Sequence, residues 1–207
     1  MKLLELGKQG CVLAAAGLLA ALPVGALAQN QNSINISFAG AAAADTTASA
    51  FLVEYERLIT STVSVFGRGT FLKYKFDDNV YVEDGKGTGI GLGARFYPAG
   101  GGMKGLYIGG GIGTFASKWD FTDDKGTSFE TKGDGDSFAI QWGGEVGYRF
   151  MLGKNASLTP AFNFGSWIGG DSNCDYTAPA SRVGTTCDKE SELGFYGTIS
   201  LSLGIQF

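Results

Sequence analysis

Hydrophobic and polar residues alternate with a period of two along most of this chain. The last segment shows it most fully. Leu193, Phe195, Gly197, Ile199, Leu201, Leu203, Ile205 and Phe207 occupy one set of alternate positions, and Glu192, Gly194, Tyr196, Thr198, Ser200, Ser202, Gly204 and Gln206 the other. Successive side chains of a strand point to opposite faces, so this pattern predicts a long strand that is apolar on one side and polar or small on the other. Phe138, Ile140, Trp142, Val146, Tyr148 and Phe150 set against Gln141, Gly143, Glu145, Gly147 and Arg149 repeat it. So do Ile90, Leu92, Ala94 and Phe96 against Gly89, Gly91, Gly93 and Arg95, and Ile34, Ile36 and Phe38 against Asn35 and Ser37. Eight strands are expected, over 31–40, 49–59, 62–76, 87–98, 104–121, 135–151, 155–169 and 190–207. The strand over 62–76 is the least regular, and the glycine of Val65-Phe66-Gly67 suggests a bulge there.

The connections between these strands are expected to alternate, with short ones near Thr60-Ser61, 98–102 and 152–154 and longer ones over 41–48, 77–86, 122–134 and 170–189. Membrane barrels join their strands by short turns at one end and longer loops at the other. The fold expected is therefore all-β: an eight-stranded antiparallel up-and-down transmembrane β-barrel. Aromatic residues are expected at both rims of the membrane wall, as interfacial girdles. Phe96, Tyr97, Tyr148, Phe150 and Phe207 mark one rim, and Tyr74, Phe76, Trp119, Phe121, Phe138 and Trp167 the other.

The N-terminus adds a compartment. Lys2 and Lys8 precede the apolar run Val12–Leu22; Pro23 and Gly25 follow, then Ala26-Leu27-Ala28. This is the form of a cleaved export signal, too short to span a bilayer as a helix. Residues 1–28 are read as the signal peptide and 29–207 as one barrel domain. Cys11 lies in the signal, and the residues before it do not form a lipobox. Cys174 and Cys187 remain, in an oxidising compartment where a disulfide between them is expected. Closing that loop is worth roughly 3 kcal/mol in the chain-entropy model.

Charge removes other classes. The chain carries 16 Lys and Arg against 20 Asp and Glu, and lacks the basic footprint of a nucleic-acid binder. No stretch after residue 28 is apolar for even ten residues, which excludes a helical membrane protein. The polar strand face holds Glu54, Glu56, Arg95, Glu145 and Arg149 among small residues rather than the dense lysine of a soluble barrel's exterior. Opposed Glu and Arg, with Glu54 and Glu56 expected to pair with Arg95, Arg149 or Arg68, suit a narrow polar interior in which pairing offsets the cost of burial. The runs Gly109-Gly110-Gly111-Ile112-Gly113 and Gly85 to Gly93 lie within strands, which removes a dinucleotide-binding reading.

On these residues, and on the terminal Thr198-Ile199-Ser200-Leu201-Ser202-Leu203-Gly204-Ile205-Gln206-Phe207, the chain resembles the small outer-membrane barrels of Gram-negative bacteria. These are the OmpX-like proteins, the transmembrane domain of OmpA-like proteins and the opacity-type porins. The resemblance implies an outer-membrane location, contact with outer-membrane lipids and lipopolysaccharide, and a C-terminal signal for the barrel-assembly machinery at Leu201, Leu203, Ile205 and Phe207. Some small barrels are lipid-modifying enzymes that use histidine paired with serine or aspartate, and this chain has no histidine. No catalytic residue, metal or cofactor is expected. The acidic residues Asp77, Asp78, Glu83, Asp84, Asp123, Asp124, Asp134 and Asp136 read as solvated loops. The expected function is a non-enzymatic outer-membrane barrel that supports envelope integrity or presents loops to a surface ligand. A narrow porin-like channel is the alternative, and a lipid-modifying enzyme comes third. Arg57 falls on the lipid side near one strand end, where it would snorkel to the interface or sit beside a bulge.

Overall fold

The computed structural model describes residues 31–42, 45–78, 80–99, 101–179, 183 and 194–207. Alternation along each segment has its physical outcome in eight strands: β1 (Asn32–Ala42), β2 (Thr46–Leu58), β3 (Val63–Asp77), β4 (Val82–Phe96), β5 (Gly105–Asp123), β6 (Thr131–Leu152), β7 (Ala156–Ala178) and β8 (Phe195–Gln206). Each pairs antiparallel with the next, and β8 closes on β1 to leave no free edge. Reciprocal backbone hydrogen bonds between Asn32 and Phe207, at 3.0 and 2.9 Å, bring both chain ends of the barrel to one rim.

The sense of the alternation is inside-out. Glu56 is fully buried and Arg149 is 2 % exposed, while Phe38, Ile112 and Ile205 are 61–63 % exposed on the outer wall. Water would not tolerate such an apolar exterior over every strand, whereas a hydrocarbon surround does. The barrel therefore spans a membrane. At the far end of the strands the sense inverts. There Trp119, Phe121 and Cys174 are buried inside with Tyr74, Tyr81 and Tyr176 packed against them, while Lys118, Asp120 and Asp134 point outward and are exposed. Beyond the apolar wall the barrel is built like a soluble one, and the rung where the sense changes marks the edge of the membrane.

Several expectations are corrected here. The register of β3 against both β2 and β4 runs without a shift, so no bulge lies at Val65-Phe66-Gly67. The irregularities fall between β6 and β7, at Lys132/Gly133 and Ala139/Ile140. Only residues 43–45 separate β1 from β2 and 78–81 separate β3 from β4, fewer than the 97–104 between β4 and β5 at the opposite rim, because ladder hydrogen bonds extend the strands well past the membrane wall. Of the acidic residues read as loops, Asp77, Glu83, Asp84, Asp123, Asp134 and Asp136 are in strands, and Glu83 is buried. Tyr97, Trp119 and Phe121 are buried, and Tyr74 and Trp167 face the interior half-buried, rather than forming part of a girdle. Phe96, Tyr148, Phe150, Phe207 and Phe138 are exposed on the outer wall.

Glycine makes the narrow interior feasible. Gly85, Gly87, Gly89, Gly91 and Gly93 of β4 all point inward, and a Cβ at Gly93 would overlap the Phe66 ring, at Gly87 the Phe115 ring and at Gly85 the Tyr74 ring. Gly135 and Gly147 seat Trp119 and Tyr107 in the same way. The glycine stripe is the negative image of the aromatic rings packed inside the barrel.

Candidate functional site

The interior contains the chain's unusual chemistry, in layers along the barrel axis. Glu54 and Glu56 of β2, Arg68 of β3, Arg95 of β4, and Glu145 and Arg149 of β6 converge from inward-facing positions. Arg95 is the hub. Its Nη1 donates to Glu54 Oε1 at 2.5 Å and Glu56 Oε2 at 2.7 Å, its Nη2 to Glu54 Oε2 at 2.8 Å, and its Nε to Glu145 Oε1. Arg68 Nη2 bridges Glu54 Oε2 and Glu145 Oε2 at 2.6 and 2.8 Å. Arg149 Nη2 reaches Glu56 Oε2 at 2.6 Å. Three carboxylates thus face three guanidinium groups, and the cluster is neutral as a whole.

Neutral polar groups complete it. Ser64 and Tyr97 both donate to Glu56 Oε1, at 2.5 and 2.8 Å, and Asn35 donates to Glu54 Oε1 at 3.2 Å. The Arg95 guanidinium lies over Phe66 and Tyr107, 4.5 and 5.0 Å from the ring centroids. Burying ions costs several kcal/mol each, roughly, and only dense pairing of this kind offsets it. The arrangement holds every carboxylate against arginine, which makes it a tie between strands rather than a set of groups poised to move protons.

Apolar layers close the interior on both sides of the ions. Toward the chain termini, Leu58, Tyr97, Met103, Tyr107 and Ala161 form a buried cluster, with Gln206 Nε2 donating to the Met103 carbonyl at 2.9 Å. In the middle, Phe115 packs on Trp167 at 4.9 Å and Trp167 on Tyr196 at 5.7 Å between centroids, and Gln141 donates to the Tyr196 hydroxyl. At the far end Glu83 accepts from the Tyr74 and Tyr81 hydroxyls at 2.7 and 2.6 Å, beside Trp119 and Phe121. Burial and then the Glu83 carboxylate push the Tyr81 phenol above its ordinary value, so it remains a donor across the physiological range.

Glu54, Glu56, Arg95, Glu145 and Arg149 meet in one cluster. Arg68, an expected partner of Glu54, belongs to it as well, and so do Ser64, Asn35 and Tyr97, which alternation alone does not single out. Their signal was register: Arg68 lies directly across from Glu54, and Asn35 across from Glu54 on the other side. Leu201, Leu203, Ile205 and Phe207 line the outer wall of β8, half or more exposed. Cys174 is buried at the far end of β7 and is disulfide-bonded, while Cys187 lies outside the described residues. The expected signal peptide, 1–28, also lies outside them. Arg57 points outward near the end of β2 in continuous register, so no bulge accompanies it. Among the described residues no group of His, Cys, Asp and Glu is arranged to hold a metal ion.

No protein-family model matches the chain. No curated protein matches it by sequence. Solved structures do match in fold. CarO2 of Acinetobacter baumannii is similar with a TM-score of 0.52 at 12 % identity, over 86 % of this chain and 100 % of that one. Ail, the attachment invasion locus protein of Yersinia pestis, in complex with the heparin analogue sucrose octasulfate, is similar with a TM-score of 0.51 at 14 % identity, over 86 % and 99 %. The closed eight-stranded sheet, its inside-out polarity and these likenesses define the class. The chain has the fold of the small, membrane-spanning outer-membrane β-barrels.

Proposed function

We propose that this chain is a non-enzymatic outer-membrane barrel of a Gram-negative bacterium that reinforces the envelope and presents its far end to surface partners. The observation that carries this reading is the filled interior. Ionic and aromatic layers occupy the barrel from the Leu58–Tyr97–Met103 cluster to the Trp119–Phe121 cluster. An eight-stranded barrel has an interior just wide enough for side chains to fill, and these do fill it. A porin-like channel is the second reading, and it would require the layers to move aside. A lipid-modifying enzyme needs an acid or base free to react, whereas Glu54, Glu56 and Glu145 are each held by arginine.

Export would use residues 1–28 as a cleaved signal. The barrel-assembly machinery would read Leu201, Leu203, Ile205 and Phe207 on the outer face of the last strand. A Cys174–Cys187 disulfide would pin the connection 179–194 to the end of β7. Ail was solved with a heparin analogue; a surface ligand at the far end of this chain is the corresponding reading. The exposed Asp78, Asp120, Asp124 and Asp134 there would favour a cationic or neutral ligand over a sulfated one.

The test is refolding of residues 29–207 into detergent, followed by gel mobility with and without boiling and by current recording in planar bilayers. A mobility shift on boiling with no single-channel steps is the expected result. Sustained, ion-selective steps from the heat-modifiable species would replace this reading with the channel. A protein that stays soluble without detergent and shows no shift would remove the membrane assignment itself.

A further inference from the structure

A groove of about 660 Å³ runs across β2 to β6 near their far ends. Thr47, Ser49, Lys73, Lys75, Asp84, Lys86, Lys118, Asp120 and Asp134 line it, and all of them occupy outward positions of their strands. The inward residues that also border it, such as Tyr74, Gly85 and Trp119, are each the single residue between two of these and so contribute backbone. The groove is therefore on the outer wall, not in the interior.

Its floor is a row of lysines in register. Lys73 of β3 lies directly across from Lys86 of β4, and Lys86 directly across from Lys118 of β5, while Asp136 of β6, across from Lys118, ends the row without pairing to it. All three are exposed, and none makes an ion pair or hydrogen bond among the described residues. Like charges directly opposite across strands about 4.8 Å apart are destabilising, so the row favours an anion lying over it.

Position along the strands narrows the anion. The next row toward the chain termini is Phe51, Phe71, Thr88, Ala116 and Phe138, and from it the outer wall is apolar down to the rim. Phe38, Phe51 and Phe71 lie side by side with tilted rings across β1 to β3, with centroids 5.4 and 6.3 Å apart. The lysine row thus sits at the polar boundary of the membrane wall, at headgroup depth. The row beyond it, Lys75, Asp84, Asp120 and Asp134, is mainly acidic and would repel a phosphate that moved farther out. Three lysines abreast span about 10 Å, wider than one phosphate needs.

We propose that Lys73, Lys86 and Lys118 form a binding site for the phosphorylated sugar headgroup of an outer-leaflet glycolipid, whose acyl chains lie on the Phe38–Phe51–Phe71 wall. This rests on the outer-membrane placement above. Lysine is suited to the task as a point charge that meets phosphate from several directions.

The experiment uses refolded residues 29–207 in neutral detergent, with native mass spectrometry and fluorescence titration against three probes: bisphosphorylated lipid A, the same glycolipid without phosphates, and phosphatidylglycerol. The bisphosphorylated lipid should bind tightest, and Lys73→Ser/Lys86→Ser/Lys118→Ser should weaken it roughly a hundredfold. Lys73→Arg/Lys86→Arg/Lys118→Arg should retain it, and Lys125→Ser/Lys132→Ser, beyond the groove, should leave it unchanged. Boiled and unboiled gels of every variant establish that each has folded. If the triple serine variant does not fold, Lys86→Ser alone, in the centre of the row, replaces it with an expected loss of about fivefold. Unchanged affinity in the folded serine variant, or equal binding of phosphatidylglycerol, overturns the proposal while the heat-modifiable barrel stands. Absence of a heat-modifiable barrel in the unaltered chain overturns the membrane reading and the site with it.

Discussion

At the scale of single residues, two carboxylates show how differently position weights the same group. Glu145 is buried between Arg68 and Arg95, and Arg95 alone contacts all three carboxylates of the ion cluster. Arg95→Ala would leave those carboxylates with only Arg68 and Arg149, and removing one partner of a buried ion cluster costs about 3–5 kcal/mol. Urea unfolding of the refolded barrel in lipid should show that loss. Arg57→Ala, on the outer wall, should change the midpoint far less. Glu130 is the exposed counterpart. It accepts from the Gly126 backbone at 2.8 Å and pairs with Lys132 at 3.0 Å, and the Gly126 hydrogen bond, followed by Lys132, holds its carboxyl below the ordinary value. A lowered folded value means the ordering it supplies is complete above the unfolded pKa and is lost as pH falls through the folded one. Hydrogen exchange at the Gly126 amide should accelerate over that acidic window, beyond its intrinsic pH trend, and Glu130→Gln should abolish the extra dependence. The interior charges were legible from alternation, because Glu54, Glu56, Arg95, Glu145 and Arg149 share the polar parity of their strands. Their partners Ser64, Asn35 and Tyr97 were not, since parity says which side a residue faces and only register says what it meets.

At the scale of elements, the strands followed from period-two patterning, and what escaped was the change of sense within each strand. In β6 the outward set runs Lys132, Asp134, Asp136 and then Phe138, Ile140, Trp142, so one face is polar above the membrane and apolar within it. Trp119 and Phe121 face inward where the outer surface is wet, so an aromatic at a strand end there marks an interior layer rather than an interfacial girdle. The strands also outran their expected ends, because polar alternation beyond the wall looks like loop. The β4 glycines give this scale its test. A Cβ at Gly93 would overlap the Phe66 ring and approach the Gly110 carbonyl to 2.5 Å, while at Gly69 the nearest atom is the Val53 carbonyl at 4.0 Å. Gly93→Ala should destabilise by about 1–3 kcal/mol through overpacking, with the neighbouring ring forced to shift. Gly69→Ala, on the open wall, should be neutral or stabilising by about 0.5 kcal/mol, because alanine is the better strand residue. Denaturant midpoints of the two variants in one lipid separate packing from propensity. Equal effects would mean that the interior has more room than the rings suggest.

At the scale of the whole molecule, the layers of the interior act in series, and that decides whether the barrel conducts. Phe115, Trp167 and Tyr196 pack across the middle, the six-residue ion cluster fills the section below, and Tyr97 with Met103 lies at the base; on the non-conducting reading proposed above, each is a barrier. A path for ions exists only if every layer opens, so thinning one of them should not create a pore. Phe115→Ala/Trp167→Ala is expected to lower stability by several kcal/mol, about 3–5 for each large aromatic removed, yet to leave planar bilayers without single-channel steps. Adding Tyr97→Ala and Met103→Ala thins the base as well but keeps the salt bridges and the Trp119–Phe121 layer, and this variant tests whether those two layers suffice as a barrier. A charge cluster that is tightly paired and neutral offers a passing ion no net field and no free volume, so conductance should still be absent or flicker rarely. Steady conductance from the first double variant would mean that the ion cluster rearranges on the timescale of permeation, and the barrel would then be a gated channel whose aromatic layer is its gate.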